Sequence, residues 1–151
     1  MARLIDVYVY KRIRQSIRVL ILKRSPEVIY PGQWRMVGGK VRAGEKAYAA
    51  GLRELKEETN LIPKLYWTLP SVNTFYDPAA DTVRHIPAFA ARADRAATIV
   101  LNHEHQEYKW IPETDISAYI QWPEQQRLMH LLVSILTDNQ LLDEWIIHDQ
   151  R

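Results

Sequence analysis

Residues 38–61, GGKVRAGEKAYAAGLRELKEETNL, restrict what this chain can fold into more than any other stretch. Apolar residues recur at helical spacing from about Lys46 to Thr59. Asn60 tolerates the left-handed backbone that ends a helix, and Pro63 blocks continuation. At about 100° per residue the helix divides into arcs. Tyr48, Gly51, Leu52, Leu55 and Thr59 share the arc expected to face a core, while Lys46, Ala49, Lys56 and Asn60 share one expected to face solvent. The remaining arc holds Ala47, Ala50, Glu54, Glu57 and Glu58.

That last arc is unfavourable by itself. Like charges at this spacing cost roughly 0.2–0.5 kcal/mol per pair on an exposed helix. Negative charge near a helix C-terminus also opposes the macrodipole. One reading is a solvated acidic face, partly neutralised by Arg53 and Lys56. The other is a site for a hard divalent cation, because Mg²⁺ and Mn²⁺ favour oxygen ligands. The small Ala47 and Ala50 would then leave room for metal, water and phosphate. Arg53, one turn before Glu57, is placed to orient a carboxylate by a charge-assisted hydrogen bond.

The order of these residues resembles the Nudix box. Gly39 is followed after five residues by Glu45, after seven more by Arg53-Glu54-Leu55, then Glu57-Glu58, then Asn60-Leu61. Six such identities by chance are on the order of 10⁻⁸ per window at average residue frequencies. Three departures stand out: Asn60 replaces the family's glycine, Val37 stands where many members have proline, and Gly51 replaces the more usual alanine. Gly51 lowers helix propensity by about 1 kcal/mol but permits close packing.

The resemblance implies an α/β fold, an α/β/α sandwich with a mixed central sheet. It also implies a hydrolase that cleaves a nucleoside diphosphate linked to another group, using Mg²⁺, or Mn²⁺ in its place, and a water nucleophile. Glu57 and Glu58 then look like the main metal ligands, and Glu54 like a further ligand or the base. Glu45 and Arg53 look like an orienting pair, and the carbonyl of Gly38 or Gly39 like a completing ligand. The run His103-Glu104-His105-Gln106-Glu107-Tyr108-Lys109-Trp110 resembles a Glu-His loop of many members, which gives Glu104 a metal or base role, with Glu107 as rival. His103 and His105 are expected in a surface loop.

Arg35, Lys40 and Arg84 are candidates to hold phosphates. Trp34, Tyr76, Phe75 and Trp110 are candidates to hold a ring, with core packing as the plain alternative. The layout resembles the branch that acts on dATP and dihydroneopterin triphosphate, giving monophosphate and pyrophosphate. Tyr76 and Pro78 keep dinucleoside polyphosphates and ADP-ribose in play, and a non-catalytic Nudix binding module is the alternative of another class.

The rest of the chain fits one domain over 1–151. Leu4–Tyr10, Val19–Leu22, Trp34–Val41, Leu65–Tyr76, Val83–Ala91, Ala96–Leu101 and Tyr108–Ile111 read as strands, with a basic turn over 11–17. Pro123 starts a second helix, and Leu141–His148 reads as a final helical piece. The net charge of +2 is too small and too dispersed for a nucleic-acid footprint. No signal peptide or membrane span is expected, and the absence of cysteine excludes disulfides and thiol chemistry and fits a cytoplasmic setting. Trp145, Ile146 and Ile147 offer an apolar surface to a second copy, a possible homodimer.

Overall fold

The computed structural model describes residues 3–148. Its elements are β1 (Leu4–Ile13), β2 (Ser16–Arg24), β3 (Trp34–Arg35), β4 (Val37–Lys40), α1 (Ala47–Thr59), β5 (Leu65–Asp77), β6 (Thr82–Arg92), β7 (His105–Ile111), α2 (Ile116–Tyr119) and α3 (Pro123–Thr137). Alternation along β1 sends Ile5, Val7 and Val9 into one core with Ala50 and Leu55 of α1. Tyr8 and Tyr10 enter the other core, with Leu128, Leu132 and Ile135 of α3. The sheet is thus covered on both faces, an α/β/α sandwich.

β1 is the spine of a mixed sheet. One edge pairs in parallel with β6, from Asp6↔Ala88 to Tyr10↔Arg92. The other edge is shared: Tyr10–Ile13 pairs with β2 and Leu4–Val7 with β4, both antiparallel. β2 is shared in the same way, with β7 on one edge and β1 then β3 on the other. β1 and β2 therefore splay apart, and β3–β4 enters the gap. The edge of β4 away from β1 has no strand partner among the described residues. This leaves Gly38 and Gly39 in mid-sheet with an open edge.

Several expectations need correction. The stretch Trp34–Val41 is two strands, because Met36 breaks the pairing and packs into the α3-side core. The turn expected over 11–17 shrinks to Arg14–Gln15, with Arg14 at φ 59. Ala96–Leu101 is not a strand. Val100 N–H donates to the Thr59 carbonyl (3.0 Å), so this segment straps the end of α1. β7 starts at His105 and takes up half of the expected loop. Leu141–His148 holds only a 3-10 turn, Asp143–Trp145. Ile146 bridges to Trp67, and Trp145 stacks on Trp67 with centroids 6.4 Å apart. The apolar tail is therefore engaged by its own chain, along the β5 edge.

Candidate active site

One guanidinium organises the box. Arg53 donates to both oxygens of Glu45 at 2.9 Å and to the Lys40 carbonyl at 2.9 Å. It also reaches Glu57 Oε2 at 3.3 Å and lies 3.7 Å from Glu54. Arg42 N–H donates to Glu45 Oε1 (3.0 Å), which closes the loop into α1. Hydrogen bonds from Arg53 are the largest influence on Glu45 and hold its carboxyl down to about 2. The end of β4, the loop and the helix are thus tied through one charged fork.

The helix carboxylates grade from outside to inside. The Glu57 side chain is 44% exposed, that of Glu54 13%, and that of Glu58 1%. Glu54 lies directly on Gly39, where any Cβ would overlap its carboxylate. Burial, then the neighbouring Glu57, push Glu54 up to about 7. Burial, then the charges of Glu104 and Glu54, push Glu58 up to about 9, despite a hydrogen bond from the Gly38 N–H. Glu58 Oε2 is sealed from solvent without a partner. Ala50 is fully buried in the α1-side core, so it fills space rather than leaving room for a ligand. The acidic arc is rolled inward, because α1 tucks its carboxylates against the glycine pair.

The loop before β7 completes the cluster. Glu104 lies 3.6 Å from Arg24, accepts a hydrogen bond from Asn102 Nδ2 at Oε2 (3.3 Å) and donates its backbone N–H to Asn102 Oδ1 (3.0 Å). His105 is buried, contrary to the surface expectation, with Nδ1 3.8 Å from Glu58 Oε1. Burial, then Arg24 and Arg35, push its imidazole down to about 4, so it is neutral at pH 7. The sequence places His105 in a surface loop beside Glu104 and assigns Arg24 no role. Adjacency to Glu104 was the only signal for His105, and Arg24 had none.

The cluster fits a hard cation in chemistry. It supplies carboxylate oxygens, one of them an orphaned buried atom, and burial together with neighbouring carboxylates raises both Glu54 and Glu58. Among the described residues no three acidic or histidine groups already stand close enough to hold an ion. Glu57 is engaged instead with Arg53 and with Arg42 at 3.6 Å. Ligation therefore requires side-chain rearrangement.

The other candidates separate into groups. Arg35 lies over Tyr30 (4.6 Å) and Trp122 (5.4 Å), and Asp6 and Arg24 both act on its charge. Trp122 also meets Phe75 at 6.3 Å. Lys40 ends β4 and is exposed. Trp34 packs edge-on against Tyr119 at 5.5 Å, on the fringe of the α3-side core. Arg84 is held by Asp77 at 3.0 Å, and Tyr76 donates to Asp81, both at the β5–β6 hairpin tip.

A NUDIX domain family model matches residues 2–132. A bis(5'-nucleosyl)-tetraphosphatase of Caenorhabditis elegans is 25% identical over 129 residues, 85% of this chain and 91% of that protein. Nucleoside triphosphatase NudI of Escherichia fergusonii is 28% identical over 98 residues, 60% of this chain and 70% of that protein. An octanoyltransferase of Myxococcus xanthus is 30% identical over 116 residues, 72% of this chain, yet the chain spans 30% of that protein's length. A crystal structure of a C. elegans Ap4A hydrolase binary complex superposes with a TM-score of 0.76 at 23% identity, covering 91% of this chain and 99% of that one.

Proposed function

The chain belongs to the NUDIX domain family of hydrolases acting on pyrophosphate bonds of nucleotide derivatives, and from that premise we propose that it cleaves a nucleoside triphosphate or a related triphosphate, such as a dNTP or dihydroneopterin triphosphate, to monophosphate and pyrophosphate. The observation that carries this reading is the partly buried Glu54–Glu57–Glu58 set against Gly38-Gly39, with Glu58 Oε2 orphaned. Glu57, Glu58, Glu54 and the Gly39 carbonyl would hold Mg²⁺, with Mn²⁺ as substitute. Bound there, such an ion neutralises phosphate charge and lowers the pKa of water.

The protein's own part is positioning and proton transfer. Arg53 and Glu45 keep the loop and Glu57 in register. Arg35 and Lys40 face the charge of the phosphates. Glu54, pushed up to about 7, is suited to take a proton from the attacking water near neutral pH. Glu104 is the second candidate for that step.

A dinucleoside polyphosphate is the second reading, favoured by the similarity to the tetraphosphatase over 91% of that protein. ADP-ribose stands beside it. Product analysis across dNTPs, dihydroneopterin triphosphate, diadenosine tetraphosphate and ADP-ribose separates these substrates. The proposal expects monophosphate plus pyrophosphate from a triphosphate. Turnover of diadenosine tetraphosphate alone would move the assignment to the second reading, and no turnover of any would leave a binding module.

A further inference from the structure

His105 is a buried imidazole that the reaction above does not use. Its side chain is 1% exposed, and both ring nitrogens are sealed from solvent without a hydrogen-bond partner. A neutral imidazole has one N–H donor and one acceptor nitrogen. Both capacities are therefore idle, which costs the fold stability.

β7 carries a bulge that places this ring. Ile111 lies in the α3-side core, and Lys109 lies over Trp34 and Tyr119 at the fringe of that core. Strict alternation would send His105 to the same face. Instead Lys23 pairs with Glu107 and Arg24 with His105, so Gln106 is an extra residue on β7. A bulge of this kind re-aims the side chain beside it. His105 thereby turns to the α1 face, where Nδ1 stands 3.8 Å from Glu58 Oε1. The backbone there is fixed independently of the ring, since Ser25 N–H donates to the Glu104 carbonyl at 2.8 Å. Glu58 is buried as deeply as the ring, and its Oε2 is sealed and unpartnered in the same way. Two side chains from distant segments thus meet with three idle polar atoms between them.

We infer that His105 is the positioning residue for Glu58: its ring N–H closes the gap to Glu58 Oε1 when the carboxylate takes a divalent cation, which leaves Oε2 to the ion. This rests on the cation site of the hydrolase reading above, and not on the reaction. Carboxylate ligands are commonly held by such an outer hydrogen bond, whose loss costs about 10–100-fold in metal affinity. On this account the idle imidazole is a cost to the empty fold that ion binding recovers.

The test is Mn²⁺ titration followed by electron paramagnetic resonance, without nucleotide, on wild type, His105→Leu and His105→Gln. Leucine fills a similar volume without polar atoms, and glutamine keeps an N–H donor. His105→Leu should bind Mn²⁺ about 10–100-fold more weakly, and His105→Gln should stay within about threefold of wild type. In EDTA, His105→Leu should melt no lower than wild type, because idle polar atoms have been removed from a buried place. Equal Mn²⁺ affinity in wild type and His105→Leu overturns the inference, as does a loss in His105→Gln as large as that in His105→Leu. A His105→Leu protein that melts lower than wild type in EDTA, or does not fold, makes the ring a packing residue and also overturns it. The two readings fail separately. The expected Mn²⁺ ratios without pyrophosphate release support the positioning role and remove the hydrolase, whereas turnover by wild type with equal Mn²⁺ affinities removes the positioning role alone.

Discussion

Gly39 is the residue at which backbone and chemistry meet. Its missing side chain is the space that the Glu54 carboxylate occupies. Gly39→Ala should displace Glu54 and lower kcat by at least about a hundredfold, as expected when a group acting in proton transfer is moved, while thermal melting stays near wild type. Arg53 is similarly exacting. Its fork meets Glu45, Glu57 and the Lys40 carbonyl at once, and a lysine cannot reproduce that geometry. Arg53→Lys should lower kcat at least about tenfold with little change in KM. A rise in KM alone would place Arg53 in substrate binding instead.

At the scale of elements, α1 carries two carboxylates whose ionisation burial opposes. Glu58 and Glu54 sit at about 9 and about 7 against an ordinary 4.5. The folded protein thus holds these protons more tightly than the unfolded chain. Without a cation, stability is greatest below the unfolded value and falls as pH rises through the folded ones. A divalent cation competes for the deprotonated form and should restore what is lost. Calorimetry in EDTA should therefore show melting temperature falling from pH 5 to 9, and Mg²⁺ should raise it more at pH 9 than at pH 6. A Mg²⁺ effect that is absent or larger at pH 6 would contradict this account of the helix.

The same helix explains Gly51. Any Cβ there would collide with the Tyr66 hydroxyl, which donates to the Tyr48 carbonyl at 3.0 Å. Gly51→Ala should cost about 1–3 kcal/mol in urea unfolding despite better helix propensity. Adding Tyr66→Phe should recover part of that loss. Asn60 ends α1 at φ 64, in the left-handed region expected of it.

At the scale of the molecule, the sandwich and the box helix were legible because their signals are local: period, cap and motif spacing. The carboxylate set was legible for the same reason. Depth was not. Glu58 and His105 are buried against each other, between α1 and the start of β7, a contact between distant segments that no local pattern records. Ala96–Leu101 read as a strand because its residues suit one, but its backbone bonds go to Asp94 and Thr59 instead. The C-terminal segment read as helical from its apolar spacing, yet it lies along β5 against Trp67. Trp145→Ala should cost about 1–3 kcal/mol in chemical denaturation, since a large half-buried ring is lost from a stack.

The central claim is that the α1 carboxylates form a cation-dependent hydrolytic centre. Pyrophosphate release from a nucleoside triphosphate, followed with Mg²⁺, with EDTA, and with Glu57→Gln in Mg²⁺, tests it most directly. The account predicts release by wild type in Mg²⁺, and background rates both in EDTA and in the variant. Release that persists in EDTA, or that Glu57→Gln leaves at the wild-type rate, would contradict it.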